Sequence, residues 1–291
     1  MSHGNTRVFR QPVRDTDTFG KRSRGTTLYV FIVVTAVFVC FTLYTGHILN
    51  VGIRTTPKST AYRCPPSFYN ASEFGLSSNS LNGEEKILHD EYFKGICGGT
   101  YIELGAHDGI GQDNTLAFHY KLEWSGMLIE ASPSRFERLR IHRLGDVLVH
   151  AAICNAPGRV HFIDKEFVGG IYEFMNPEFI AFWHPNVNVE YLPTVQCSPL
   201  ESIVEGKTAQ TFFDFLSLDV EGGEYHVLET MGKLQFGIIM VESDGGNPIK
   251  DTAVRTLVES RGYAFHRKFN NSQWFINDRW HHIYRNILHE S

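Results

Sequence analysis

Thr100-Tyr101-Ile102-Glu103-Leu104-Gly105-Ala106-His107-Asp108-Gly109-Ile110-Gly111 is the stretch that decides how the chain is read. It begins as a short apolar run suited to a buried strand and then breaks into small residues. Glycine lets a backbone turn sharply and lets a ligand come close to it. In open α/β sheets, ligands sit at the carboxyl ends of strands, where a strand feeds a helix. The expectation is a turn that holds a nucleotide-like cofactor.

Downstream, QDNTLAFHYKLE reads as a helix with Leu116 and Tyr120 on one face, and WSGMLIEAS as a strand ending in Glu130. Ser132 as N-cap and Pro133 at the first helical position start another helix, which Gly145 closes. DVLVHAAIC is a third strand. Strand, helix, strand, helix, strand points to a parallel sheet. Residues 155–197 break the rhythm, are rich in aromatics (Tyr172, Phe174, Phe179, Phe182, Trp183, Tyr191), and read as an insertion or lid. Asn176-Pro177 starts a short helix there, and Ser198-Pro199-Leu200-Glu201 has the pattern of a capping box. TFFDFLSL is a further strand, ending in Asp219-Val220-Glu221-Gly222-Gly223-Glu224. A helix, the strand GIIMVES, a helix from about Thr252 to Gly262, and a hairpin of AFHRKF and SQWFIN complete the chain.

Upstream, residues 1–25 are polar and basic, and no Asp, Glu, Lys or Arg occurs from Thr26 to Ile53. LYVFIVVTAVFVCFTLY within that run is apolar on every face, and the run is long enough to cross a hydrocarbon core of about 30 Å. The expected organisation is a cytoplasmic tail (1–25), a transmembrane signal-anchor helix that meets the bilayer (26–49), a stem (50–83) and a catalytic domain (84–291). Arg10, Arg14, Lys21, Arg22 and Arg24 precede the span, which favours a cytoplasmic N-terminus and a type II arrangement in the Golgi or endoplasmic reticulum, with the domain in the lumen. The sequons Asn70-Ala71-Ser72 and Asn270-Asn271-Ser272 suit that side. Cys64, Cys97, Cys154 and Cys197 allow two disulfides in any of three connectivities, though Cys154 and Cys197 also read as buried thiols. The formal charge of -5 gives no case for nucleic acid as a partner.

Acidic residues fall at strand ends: Asp108, Glu130, Asp219, Glu221, Glu242 and Asp244. A glycine-rich turn followed by a carboxylate at the next strand's end suits a ribose-bearing ligand. In this order Glu103-Leu104-Gly105-Ala106-His107-Asp108-Gly109, Asn114-Thr115, Trp124-Ser125-Gly126-Met127-Leu128-Ile129-Glu130, Ala152-Ile153 and Phe215-Leu216-Ser217-Leu218-Asp219-Val220-Glu221-Gly222-Gly223-Glu224 resemble the FkbM-type methyltransferases. The resemblance runs from about Tyr101 to the C-terminal hairpin. It implies an α/β fold: a Rossmann-like class I methyltransferase sheet, seven-stranded, with helices on both faces and a C-terminal antiparallel hairpin. It implies S-adenosyl-L-methionine as cofactor and O-methylation as the reference activity. The implied cofactor-binding residues are Glu103, Gly105, Ala106, Asp108, Gly109, Glu130 and Asn155. Among these, Gly105, Ala106 and Gly109 would line the methionine part, Glu130 would hold the ribose, and Asn155 would lie near the adenine. The chain departs from the pattern at Ala131-Ser132-Pro133, where Pro-Asn-Pro is more usual.

Methyl transfer from a sulfonium is an in-line displacement, and an alcohol needs a base to take its proton. Asp219 is the first candidate, with Glu221 and His107 behind it and His226 weaker still; the bland reading of Asp219-Val220-Glu221-Gly222 is a strand-to-helix turn stabilised by Glu224. Asp219, Asp244 and Asn247 supply oxygen ligands of the kind Mg²⁺ takes, but surface carboxylates are the commoner explanation and no metal is assigned. The expected partner is a hydroxyl-bearing acceptor on a glycan, lipid or small molecule. Competing readings are a non-catalytic membrane-anchored trafficking or cargo factor that keeps the fold, and a Golgi glycosyltransferase.

Overall fold

The computed structural model describes residues 58–288, apart from 69, 71–73, 75–77 and 244. The expected tail (1–25) and signal-anchor run (26–49) lie outside the described residues. Among the described residues no helix is long and apolar enough to cross a membrane.

In chain order the central elements are α1 (Glu84–Leu88), β1 (Thr100–Leu104), α2 (Leu116–Leu122), β2 (Ser125–Glu130), α3 (Pro133–His142), β3 (Val147–His150), α4 (Pro177–Trp183), α5 (Leu200–Glu205), β4 (Phe212–Leu218), α6 (Glu224–Glu229), β5 (Gln235–Glu242), α7 (Pro248–Ser260), β6 (Tyr263–Phe269) and β7 (Ser272–Asn277). Seven strands form one sheet in the order β6-β7-β5-β4-β1-β2-β3. The five from β5 to β3 are parallel, and β6 and β7 join as an antiparallel hairpin. Every residue of β1 and β4 is buried, as strands covered on both faces require. Ile102 and Leu104 pack with Val204 of α5, Val227 of α6 and Val254 of α7. Tyr101 and Leu128 pack on the opposite face with Phe118 of α2 and Leu139 of α3. The topology turns back between β1 and β4, so their carboxyl ends open a crevice.

Several local readings change. The stem is shorter than expected: Tyr62–Arg63 pairs with Ile96–Cys97, Cys64 is bonded to Cys97, and Phe74 is buried against His89. The Ser- and Pro-rich composition hid that attachment. Tyr120 is exposed, and α2 buries Ala117, Phe118 and Leu122 instead. Helix α7 starts at Pro248, capped by Asn247 Oδ1, which accepts from Lys250 N at 3.1 Å. The capping box at Ser198 does not form, because Glu201 Oε1 accepts from Lys233 N across the fold at 2.9 Å. DVLVHAAIC splits: after β3, Ala152–Ile153 leaves the main sheet and pairs with Thr194–Ser198. The insertion is thus a small sheet of its own, completed by Gly158–Ile163 and Gly170–Ile171 and stapled by the Cys154–Cys197 disulfide.

A buried cation braces the turn after β1. Arg143, fully buried, contacts Asp113 at 2.5 Å and Asp146 at 3.0 Å, and donates to Tyr101 Oη and Thr115 Oγ1. Thr115 Oγ1 in turn donates to Glu103 Oε2 at 2.6 Å. Removing one partner of such a pair strands a charge out of water. Arg143→Met therefore lowers unfolding free energy by about 3–5 kcal/mol in urea titrations. Arg140→Met, at the exposed pair with Glu137, costs less than about 1 kcal/mol by the same measurement.

Candidate active site

The crevice at the ends of β1, β2 and β4 holds a cavity of about 960 Å³, counting the solvent at its mouth. Gly105 shapes its floor. Its φ is +77°, and a Cβ there would lie 1.7 Å from the Asp219 carbonyl oxygen, so no other residue lets β1 and β4 end so close together. Asp219 N donates to Leu104 O at 3.2 Å across that gap.

Glu130 ends β2 inside the same wall. Its Oε2 accepts from His107 N at 2.8 Å and its Oε1 from Ser132 N at 2.6 Å, and the side chain is buried. Burial pushes its carboxyl up to about 7, against the opposing pull of those two N–H groups and Arg135. A carboxylate has about four lone-pair positions, so each oxygen keeps one for a further donor. His107 stands on strained backbone, φ +50°, and stacks on Phe167 with ring centroids 4.9 Å apart. Burial, with Arg135 nearby, lowers its pKa, so the ring is neutral at physiological pH. The ring sits between two carboxylates, with Nδ1 3.4 Å from Asp108 Oδ1 and Nε2 3.6 Å from Glu166 Oε2, and Arg135 Nε is buried without a hydrogen bond. Glu166, beside Phe167, draws in Arg135 at 3.3 Å and Arg138 at 3.6 Å.

Of the expected cofactor residues, Glu103, Gly105 and Glu130 line the cavity; Ala106, Asp108, Gly109 and Asn155 do not. Glu103 is buried and committed to Thr115 Oγ1 and Asn114 N, so it orients the loop that carries Asn114. Asp108 closes the turn on itself: Oδ1 accepts from Ile110 N and Gly111 N, which with His107 outweigh partial burial and hold its carboxyl low. Gly109 is small for a packing reason, since a Cβ there would meet Arg143 Cγ at 2.4 Å. Ala106 is buried beside it. Asn155 turns away and donates to Glu229 Oε2 at 2.8 Å. The cavity is lined as well by Ile153, Phe162, Phe167 and Arg135, none of which sequence reasoning assigned to the site. The aromatic excess of the insertion was the one available signal for Phe167.

The candidate bases converge on the other side. Asp219 and Glu221 line the cavity, while His226 stacks on Phe174 away from it. Glu224 does stabilise the turn: its Oε1 accepts from Val220 N and Gly222 N, and its Oε2 pairs with Lys250 at 2.7 Å. That turn leaves Glu221 on strained backbone at φ +55° and pointing into the site. Asp219, Glu221 and Glu242 each bring a carboxylate oxygen within 4.8 Å of the others. Burial first, then Asp219, Glu224 and Glu221, raises the Glu242 carboxyl well above its usual range. Of the oxygen set named from sequence, Asp219 lines the cavity, Asn247 caps α7, and Asp244 lies outside the described residues.

Residues 103–265 match the model of the methyltransferase FkbM domain. The chain belongs to that family. Its members are S-adenosylmethionine-dependent methyltransferases. Among solved structures the chain is similar to a TehB-like S-adenosylmethionine-dependent methyltransferase from Corynebacterium glutamicum, at 8% identity and TM-score 0.37, covering 71% of this chain and 93% of that one. It is also similar to an S-adenosylmethionine-dependent methyltransferase from Aquifex aeolicus, at 14% identity and TM-score 0.34, covering 72% and 98%. An SAH-bound methyltransferase from Podospora anserina gives 13% identity and TM-score 0.35, covering 80% and 95%. No match was found among curated proteins.

Proposed function

We propose that this FkbM domain transfers a methyl group from S-adenosyl-L-methionine to a hydroxyl oxygen of a glycan, lipid or small molecule. The observation that carries this reading is Glu130: a buried carboxylate at a strand end, with unused acceptor capacity, in a cavity wall it shares with His107 and Arg135. Glu130 would receive the ribose hydroxyls, and Ile153, Phe162 and Phe167 would enclose the adenine. When bound, the cofactor supplies an electrophilic methyl on a positive sulfur, whose S–C bond breaks as the O–C bond forms and which keeps the bonding electron pair.

The chain's own residues have the remaining work. Asp219, at the end of β4 in the crevice, takes the proton of the acceptor hydroxyl, and Glu221 orients that hydroxyl. His107, neutral and stacked on Phe167, closes the cofactor side against water. A luminal location, with residues 26–49 in the bilayer and the N-terminus cytoplasmic, accompanies the proposal. It is supported by two disulfides among the described cysteines and by exposed acceptor asparagines Asn70 and Asn270.

Three measurements on the detergent-solubilised full chain test this. Glu130 must be ionised to accept from two hydroxyls, so cofactor affinity rises with pH through about 7. By calorimetry, S-adenosylmethionine binds up to about tenfold more tightly at pH 8 than at pH 6, and Glu130→Gln abolishes both the gain and most of the affinity. The stability sign is opposite: with its folded pKa above the unfolded one, the empty protein loses stability as pH rises from the unfolded carboxylate range to about 7. No cofactor binding in wild type would sink the methyltransferase reading and favour the non-catalytic factor, whereas uptake of a sugar nucleotide with Mn²⁺ would favour a glycosyltransferase. Asp219→Asn keeps cofactor affinity but lowers single-turnover methyl transfer by about 10²–10⁴-fold. An N-glycanase lowers the apparent mass of the cellular protein, and Asn70→Gln with Asn270→Gln removes that shift; an unchanged mass contradicts the luminal placement.

A further inference from the structure

A second cavity, of about 780 Å³ counting the solvent at its mouth, adjoins the first, and Glu221 lines both. One wall is helix α4 of the insertion. Helices in folded domains usually bury an apolar stripe. This one buries none of its residues, although three of its seven are Phe179, Phe182 and Trp183. Phe182 is 75% exposed and Trp183 44% exposed, and both line the cavity. The fold holds the helix by polar ties instead. Asn176 Oδ1 caps its first turn at 2.9 Å and Lys165 Nζ donates to Trp183 O at 3.1 Å. His184, just past its end, meets Val168 O at 2.8 Å. Aromatic rings held in place yet left in water have no packing role to explain them.

The facing wall is polar. Lys250 lines it but is paired with Glu224 at 2.7 Å; Glu242 presents an acceptor there, and Glu178 adds another from the first turn of α4 itself. Asn247 Oδ1 is committed to Lys250 N, which leaves the Asn247 amide NH₂ as a donor at the wall. An acyl chain would leave these acceptors and that donor unpaired, at a desolvation cost for each. A compact cation would satisfy the carboxylates and leave the amide donor facing it. A sugar ring satisfies both walls, because its C–H face is apolar and its rim of hydroxyls both donates and accepts.

We infer that this cavity is the acceptor subsite and that it takes a pyranose ring, stacked on Trp183 and Phe182 with its hydroxyls on Glu242, Glu178 and Asn247. The inference rests on the methyltransferase reading for the fate of the sugar, not for its binding. The ring enters beside α4, and Glu221, shared by the two cavities, marks where its reacting hydroxyl meets the cofactor side. The Cys154–Cys197 staple keeps the insertion that carries this wall attached to the domain.

The test is saturation-transfer NMR on the full chain with methyl α-mannopyranoside, methyl β-galactopyranoside, methyl α-fucopyranoside and methyl β-xylopyranoside, and with choline and 1-hexanol as comparators. At least one glycoside receives saturation at its ring protons, and Trp183→Ala and Phe182→Ala each weaken it by about tenfold, a change of 1.4 kcal/mol. Both side chains are exposed, so the variants fold, and S-adenosylmethionine affinity on the same samples stays within twofold of wild type. Silence from all four glycosides, a stronger signal from choline or hexanol, or equal binding by the variants overturns the inference. Loss of cofactor binding in wild type would instead sink the methyltransferase reading and leave the sugar result standing.

Discussion

Two backbone N–H groups on one buried carboxylate hold this site together. Glu130 ends β2, yet it fixes the chain on either side of itself: His107 N belongs to the turn after β1, and Ser132 N opens α3. Burying a carboxylate is costly, and hydrogen bonds offset the cost only if the donors cannot move away. Here they cannot. The turn from Gly105 is wedged under the Asp219 carbonyl at one end. At the other it is tied through Asp113 and Thr115 to Arg143, itself buried without access to water. The strained backbone at His107 is tolerable because three independent attachments over-determine it.

That constraint explains what the sequence could and could not disclose. Strand periods, the Ser132-Pro133 start of α3 and the Asn270-Asn271 hairpin are local properties of a few neighbours, and they are legible without coordinates. So was Glu130, because a carboxylate one strand beyond a glycine turn has a fixed place in a parallel sheet. The glycine turn itself was only half legible. Gly105 and Gly109 look equivalent in sequence, but one meets a backbone oxygen at the cavity floor and the other a side chain of α3 beneath it. Smallness demanded by a close backbone approach and smallness demanded by side-chain packing leave the same letter.

Groups read by residue type alone fared worst. Asp108, Asn155, Asn247 and Glu201 are all polar residues near strand or helix ends, and each spends its side chain on backbone or on a distant partner. Local backbone donors compete for such side chains in any turn. Arg135 and Phe167 escaped notice for the converse reason. Nothing marks them in sequence, and they reach the cavity only because the insertion folds back over α3 and brings Glu166 against Arg135. The aromatic residues of α4 carried a real signal, but only their exposure separates a binding wall from a core.

The placement of the acids suits the transfer to a hydroxyl oxygen that we propose. Positive charge begins on sulfur and ends, before proton loss, on the acceptor oxygen. A carboxylate buried against the sulfur alone would stabilise the starting state more than the transition state and would slow the reaction. A carboxylate near the oxygen gains as charge arrives. Glu221 lines both cavities, Asp219 lines the first, and Glu242 opens onto the second. Glu242, crowded by burial and by Asp219, Glu224 and Glu221, keeps its proton more readily than an ordinary carboxyl. Carboxylate oxygens of all three residues lie within 4.8 Å of one another, and that crowding is part of what raises the Glu242 carboxyl. Lys250, paired with Glu224 at 2.7 Å, also lines the second cavity, where its charge opposes the rise of the Glu242 carboxyl.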